Sequence, residues 1–164
     1  MPKNILIFSD GTGQAGGLRP DQRLSNVYKL YRATRPGPDN PDIDPAKQIA
    51  FYDPGLGTIS DSKGIRLNPA QRLMSVLGQV TGMGITDNII DCYAAVLKYY
   101  EPGDRICLSG FSRRSYTARC VASVIRLCGV PTTDGQRGSL PTNVPDLRRI
   151  AKDAGVVVYE PRFL

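Results

Sequence analysis

Residues 86–114 read TDNIIDCYAAVLKYYEPGDRICLSGFSRR, and the order of signals in this stretch decides the fold class. Thr86 has the side chain of a helix cap. Ile89, Ile90, Tyr93, Val96, Leu97 and Tyr100 then recur three or four apart, the spacing of one apolar helix face. Glu101-Pro102-Gly103-Asp104 stops that helix. Arg105 to Ser109 is a short strand in which Ile106, Cys107 and Leu108 read as buried on both faces. Gly110-Phe111-Ser112-Arg113-Arg114 is a turn, and a second helix is expected from there to about Cys128.

The flanking sequence repeats the alternation. Asn4 to Ser9 is a strand closed by Asp10-Gly11-Thr12-Gly13, and Ser25 caps a helix carrying Val27, Leu30, Tyr31 and Thr34. Pro36 to Pro45 is a loop. Gln48 to Tyr52 is a second strand, followed by Asp53-Pro54-Gly55-Leu56-Gly57-Thr58. Residues 60–84 carry only weak helical spacing around Leu73, Val76 and Leu77. Beyond Gly129 the chain is polar and rich in Gly and Pro, with a helix expected at Val144 to Asp153. Val156 to Tyr159 is expected as a fourth strand or the start of a longer element. Strands separated by helices pair in parallel through right-handed crossovers, which makes this an α/β protein, a parallel sheet flanked by helices.

Its 164 residues suit one domain, 1–164. Lys and Arg number 21 against 15 Asp and Glu, a net +6 carried largely by scattered Arg, which fits a solvated surface better than a specific nucleic-acid face. There is no His, so neither a Ser-His-Asp nor a Cys-His catalytic unit, nor a His-based metal site, can be completed within these residues. Cys92, Cys107, Cys120 and Cys128 form no C-x-x-C pair and are expected as buried free thiols. The opening apolar run, Ile5 to Phe8, is far shorter than a signal peptide's, and no segment is long enough to span a membrane. The expected location is cytoplasmic, with signal-independent export left open.

The sharpest site is the turn at Gly110-Phe111-Ser112. A nucleophile elbow places Ser on a tight strand-to-helix turn, where the helix N-terminus and the N–H of the next residue, Arg113, can stabilise an oxyanion. Gly110 fits because a side chain there would collide with the turn. The G-x-S-x-G pattern departs at its last position, which is Arg114. The competing reading is a Ser that caps the helix, and spacing alone leaves both open. Gly11-x-Gly13-x-x-Gly16 resembles a dinucleotide fingerprint, but Asp10 would face the pyrophosphate and no helix opens until after Pro20. A phosphatase-type Asp-x-Asp-Gly-Thr reading fails because Phe8 stands at the nucleophile position. Asp10, Asp53 and Asp87 could form an acidic cluster, yet each has a local explanation as turn former or first-turn acid, so no metal and no cofactor is expected.

FSDGTGQ, SNVYKLYRAT, YDPGLGT, GITDNIIDCYAAVLKYYEPGDRICLSGFSR and SYTARCVA, taken together and in this order, resemble one known family. It is the α/β-hydrolase-like family that includes the catalytic domain of type VI secretion phospholipase effectors, and the likeness runs from about Ile5 to Cys128. It implies an α/β-hydrolase-like fold, a lipid or ester substrate, and Ser112 as the nucleophile of a Ser-dependent hydrolase. The Asp10-Gly11-Thr12 loop is then the second oxyanion donor, with Gly11 and Thr12 as candidates beside Arg113. Asp10 is the acidic candidate, and Asp134 only a loop candidate. Hydrolase topology implies the spatial order strand two, strand one, strand three.

The family usually reads GFSRG at the elbow and continues well beyond the length seen here, its catalytic His lying later. The resemblance therefore implies an incomplete amino-terminal portion of such a domain, inactive by itself. The alternative is a non-catalytic fragment or binding module that keeps the front half of the fold. The strand at Arg105 to Ser109 would border no strand on its outer side, which points to self-association through an open edge. Arg114, in place of a small residue, is expected to swing out or to push helix and strand apart, so that Arg114→Gly would raise the thermal midpoint.

Overall fold

The computed structural model describes residues 1–11, 24–54, 83–133 and 138–159. Three strands, β1 (Asn4–Ser9), β2 (Gln48–Asp53) and β3 (Arg105–Gly110), form one parallel sheet in the order β2-β1-β3. This is the order that hydrolase topology implies. Asn4, Ile5 and Leu6 of β1 lie opposite Gln48, Ile49 and Ala50 on one side and Arg105, Ile106 and Cys107 on the other. Among the described residues four helices flank the sheet: α1 (Asn26–Thr34), α2 (Met83–Tyr99), α3 (Arg113–Cys128) and α4 (Val144–Tyr159).

Alternation along β1 assigns the layers. Ile5 and Ile7 face α2, α3 and α4, in a cluster with Tyr93, Val96, Val121, Val124 and Leu147. Phe8 faces the other way and meets Tyr31 of α1 edge-on, with ring centroids 5.9 Å apart. Tyr52 of β2 stacks on Tyr31 at 5.0 Å, so α1 covers β1 and β2. The chain thus crosses from β1 to β2 over one face and back to β3 over the other. Right-handed crossovers require this when the direction of strand addition reverses. The reversal falls at β1: α1, which follows β1, lies on one face, and α3, which follows β3, lies on the other. Such a switch point opens a crevice at the carboxyl ends of the strands.

Ser25 caps α1 as expected, its Oγ accepting from the Tyr28 N–H at 2.9 Å. Other boundaries differ. α2 begins at Met83, three residues before Thr86, which lies inside the helix and does not open it. Residues 156–159, expected as a fourth strand or the start of a longer element, continue α4. Asn143 begins α4 by accepting from the Asp146 N–H at 2.9 Å. The apolar run Val156 to Tyr159 follows on from a helix already started, so propagation needs no new nucleus. Of the four thiols only Cys92 and Cys120 are buried; Cys107 and Cys128 are exposed. Cys107 sits on β3 beyond the reach of α1, while Ile106 and Leu108 pack against the core from the opposite face. Among the described residues, β3 is therefore covered on one face, not two. The weak helical signal at Leu73, Val76 and Leu77 lies outside the described residues.

Candidate active site

The turn after β3 has the geometry of a tight elbow. A Cβ on Gly110 would lie 2.5 Å from the Arg114 carbonyl oxygen and 2.9 Å from Ser115 Cα, so only glycine lets strand and helix approach this closely. Ser112 has φ 58° and ψ −132°, and among the described residues it alone combines a side chain with positive φ. Its side chain makes no capping hydrogen bond to the helix it precedes, so the capping alternative lacks its defining contact. Ser112 is exposed at the start of α3, with Arg113 the first helical residue.

The loop after β1 is held against this turn. The Phe111 N–H donates to the Ser9 carbonyl at 3.1 Å, and a Cβ on Gly11 would meet the Phe111 ring at 2.6 Å. Gly11 thus packs its backbone directly on the elbow. Its N–H, however, turns back onto Asp10 Oδ1 at 2.7 Å. Asp10 is fully buried, and its Oδ2 accepts from Ser25 Oγ at 2.5 Å and from the Tyr52 hydroxyl at 2.6 Å. The Asp10 carboxylate therefore joins the β1 loop, the α1 cap and β2. Burial, followed by this carboxylate, pushes the Tyr52 phenol well above its ordinary value. Thr12 and Asp134 lie outside the described residues. Asp87 is on α2, where its carboxylate lies 3.6 Å from Arg148 of α4.

Arg114 overturns the expectation of a displaced side chain. It is 4% exposed, and its Nη1 donates to Asp53 Oδ2 at 2.5 Å while Nη2 donates to the Pro54 carbonyl at 3.1 Å. The guanidinium runs beneath the carboxyl ends of the strands and joins α3 to β2, and helix and strand stay close. Ser9 Oγ, at 3.1 Å, and Cys92 Sγ, at 3.8 Å, also donate to Asp53 Oδ2. Burial raises the Asp53 carboxyl above its ordinary value, with Arg114 pulling the other way; burial also pushes the Cys92 thiol up. A cavity of about 410 Å³ opens beside Asp53 and Pro54, walled by Phe51, Ala94, Ala95 and Leu147.

Sequence reading anticipated the tight turn at Gly110 and the approach of Gly11 to it, but missed the Asp53–Arg114 pair and the Tyr52–Asp10–Ser25 link. A usable signal existed. Asp10, Asp53 and Arg114 all lie at or just beyond the carboxyl ends of strands of one parallel sheet, in a layer where a buried acid needs a partner. Among the described residues no group of three His, Cys, Asp or Glu side chains could hold a metal ion, and no helix is long and apolar enough to cross a membrane.

A parallel sheet with helices on both faces and a strained serine between strand and helix defines the class, an α/β-hydrolase-like protein. Residues 3–154 match the family model described as type VI secretion system, phospholipase effector Tle1-like, catalytic domain, and the chain belongs to that family. It is also similar to the uncharacterized protein YEL023C of Saccharomyces cerevisiae, at 32% identity over 131 residues. The match covers 78% of this chain and 18% of that protein, so the chain spans less than a fifth of its curated relative's length. No solved structure matches the chain.

Proposed function

We propose that the chain carries the nucleophile half of a Ser-dependent lipid or ester hydrolase site, phospholipase-like in substrate class, and that these 164 residues do not turn over ester by themselves. The observation that carries the reading is Ser112, held at positive φ with its hydroxyl uncommitted to the helix. In such a site Ser112 Oγ attacks the ester carbonyl carbon, and the negative charge that develops on the carbonyl oxygen needs N–H donors. The Arg113 N–H, at the start of α3, is one donor. The Gly11 N–H is engaged by Asp10, which leaves Thr12 as the other candidate for the second. Attack also releases the Ser112 proton, and without His no ordinary acceptor stands ready for it. Asp10 is the acidic candidate for orienting a base supplied from elsewhere.

A short-chain nitrophenyl ester and a phospholipid vesicle assay test this directly. The purified chain should match Ser112→Ala at background, since loss of a triad member costs on the order of 10⁴ in kcat. Turnover that vanishes in Ser112→Ala would overturn the inactivity and imply a base within the chain. The second reading, a non-catalytic module, is favoured by the outer edge of β3, which pairs only with β1 among the described residues. With Phe111, Tyr116 and Leu127 exposed nearby on the elbow and α3, this edge is a template for a second copy. Light scattering should detect association at micromolar concentration; a monodisperse monomer would remove self-association.

A further inference from the structure

The strain at Ser112 needs a source of support, because a non-glycine residue in that region costs free energy and persists only where its surroundings over-determine it. Several contacts supply backbone restraint. The Arg114 N–H donates to the Phe111 carbonyl at 3.1 Å, the Ser115 N–H to the Ser112 carbonyl at 3.0 Å, and Ser115 Oγ to the Gly110 carbonyl at 2.9 Å. All of these lie within the turn and would travel with it if α3 shifted. Two of the turn's contacts among the described residues reach outside and bear on its position. One is Phe111, held by Ser9 and Gly11 of β1. The other is the Arg114 side chain, which crosses to Asp53 and Pro54 at the end of β2.

The second contact is unusual in its cost. An Arg in the first turn of a helix could reach solvent within its own length, yet this guanidinium is buried with a carboxylate. Burying such a pair is seldom favourable in itself, because the desolvation of both ions opposes their attraction. The planar fork meets two different acceptors, a carboxylate oxygen and a backbone carbonyl, and so fixes direction as well as distance.

We propose that Arg114 is a positioning residue for Ser112: its bonds to Asp53 and Pro54 tie the first turn of α3 to β2 and hold the Ser112 backbone in its strained conformation. The proposal rests on the hydrolase reading of Ser112 but needs no turnover for its test. A thiol in place of the Ser112 hydroxyl reports the geometry, because alignment with the N-terminus of α3 favours the thiolate and the pH profile of alkylation reads that alignment.

The experiment starts from a parent carrying Ser112→Cys with the exposed thiols removed as Cys107→Ser and Cys128→Ser, alkylated with iodoacetamide and read by mass spectrometry at residue 112. The parent midpoint should lie below the ordinary thiol value of about 8.5. Adding Asp53→Asn with Arg114→Gln deletes one charge of each sign, so the net charge near the thiol is unchanged. The midpoint should nevertheless return toward about 8.5, with alkylation at pH 7 slowed by about tenfold. Arg114→Lys keeps the charge but loses the fork, and its midpoint should also rise; it decides the matter if the double change fails to fold. A folded double variant, or a folded Arg114→Lys, with the parent's midpoint would overturn the positioning role while leaving the elbow intact. An ordinary midpoint in the parent itself would overturn the elbow reading and this proposal with it.

Discussion

At the scale of single residues, the two long-range ends of the elbow are Phe111 and Arg114, and the second reverses an expectation. A sequence pattern gives the position of Arg114 relative to Ser112 but not its rotamer, and the physical question was whether a long cation could fit two residues after the nucleophile. It fits because Asp53 ends β2, two strands over from β3 across β1, and accepts its charge. Arg114→Gly should therefore lower the thermal midpoint. Breaking a buried pair leaves an uncompensated carboxylate and costs about 3–5 kcal/mol, which outweighs any relief of crowding. Thermal unfolding followed by circular dichroism measures it, and an unchanged or higher midpoint would show that the pair contributes nothing net. Gly110 was legible for the opposite reason: its role follows from backbone geometry alone, which the strand-turn-helix pattern already specifies.

At the scale of elements, strand identity followed from apolar runs and glycine punctuation, because these signals are local, whereas strand order came from the family resemblance. The errors lie where local signals are degenerate. A Thr inside a helix has the same side chain as one that caps it, and four apolar residues suit a strand or the last turn of a helix equally. The amino-terminal segment offers a test at this scale. Lys3 Nζ lies 2.8 Å from Asp104 Oδ2 and 3.1 Å from Glu101, and the Lys3 N–H donates to Asp104 Oδ1 at 2.8 Å. These contacts fasten the entry to β1 onto the α2–β3 connection. Burial raises the Asp104 carboxyl, but the hydrogen bonds from Lys3 and from the Glu101 N–H outweigh it and hold it below its ordinary value. A carboxyl lowered by folding stabilises above its unfolded pKa of about 3.9, and that stability is lost as pH falls through the folded value. Asp104→Asn should thus weaken the chain at pH 7 and flatten its loss of stability below about pH 4. Denaturant titrations at pH 7 and pH 3 compare the two, and parallel losses in both proteins would exclude this contribution.

At the scale of the whole molecule, the pairing of β1 with β3 brings Gly11 and the elbow together, and that much was implied by strand order. What no linear pattern reveals is which acids and cations share the buried layer beneath them, since Asp10 finds Ser25 and Tyr52, and Asp53 finds Arg114, only through parallel pairing. The fold as a whole must supply the free energy that Ser112 stores. The thermal midpoints of Ser112→Gly and Ser112→Ala read this most directly. If Ser112 is an elbow at positive φ, glycine relieves strain of about 1–3 kcal/mol and the midpoint rises, while alanine leaves it nearly unchanged. A capping serine would give the reverse order, alanine costing about 1 kcal/mol and glycine a few tenths, and a midpoint lowered most by alanine would contradict the elbow.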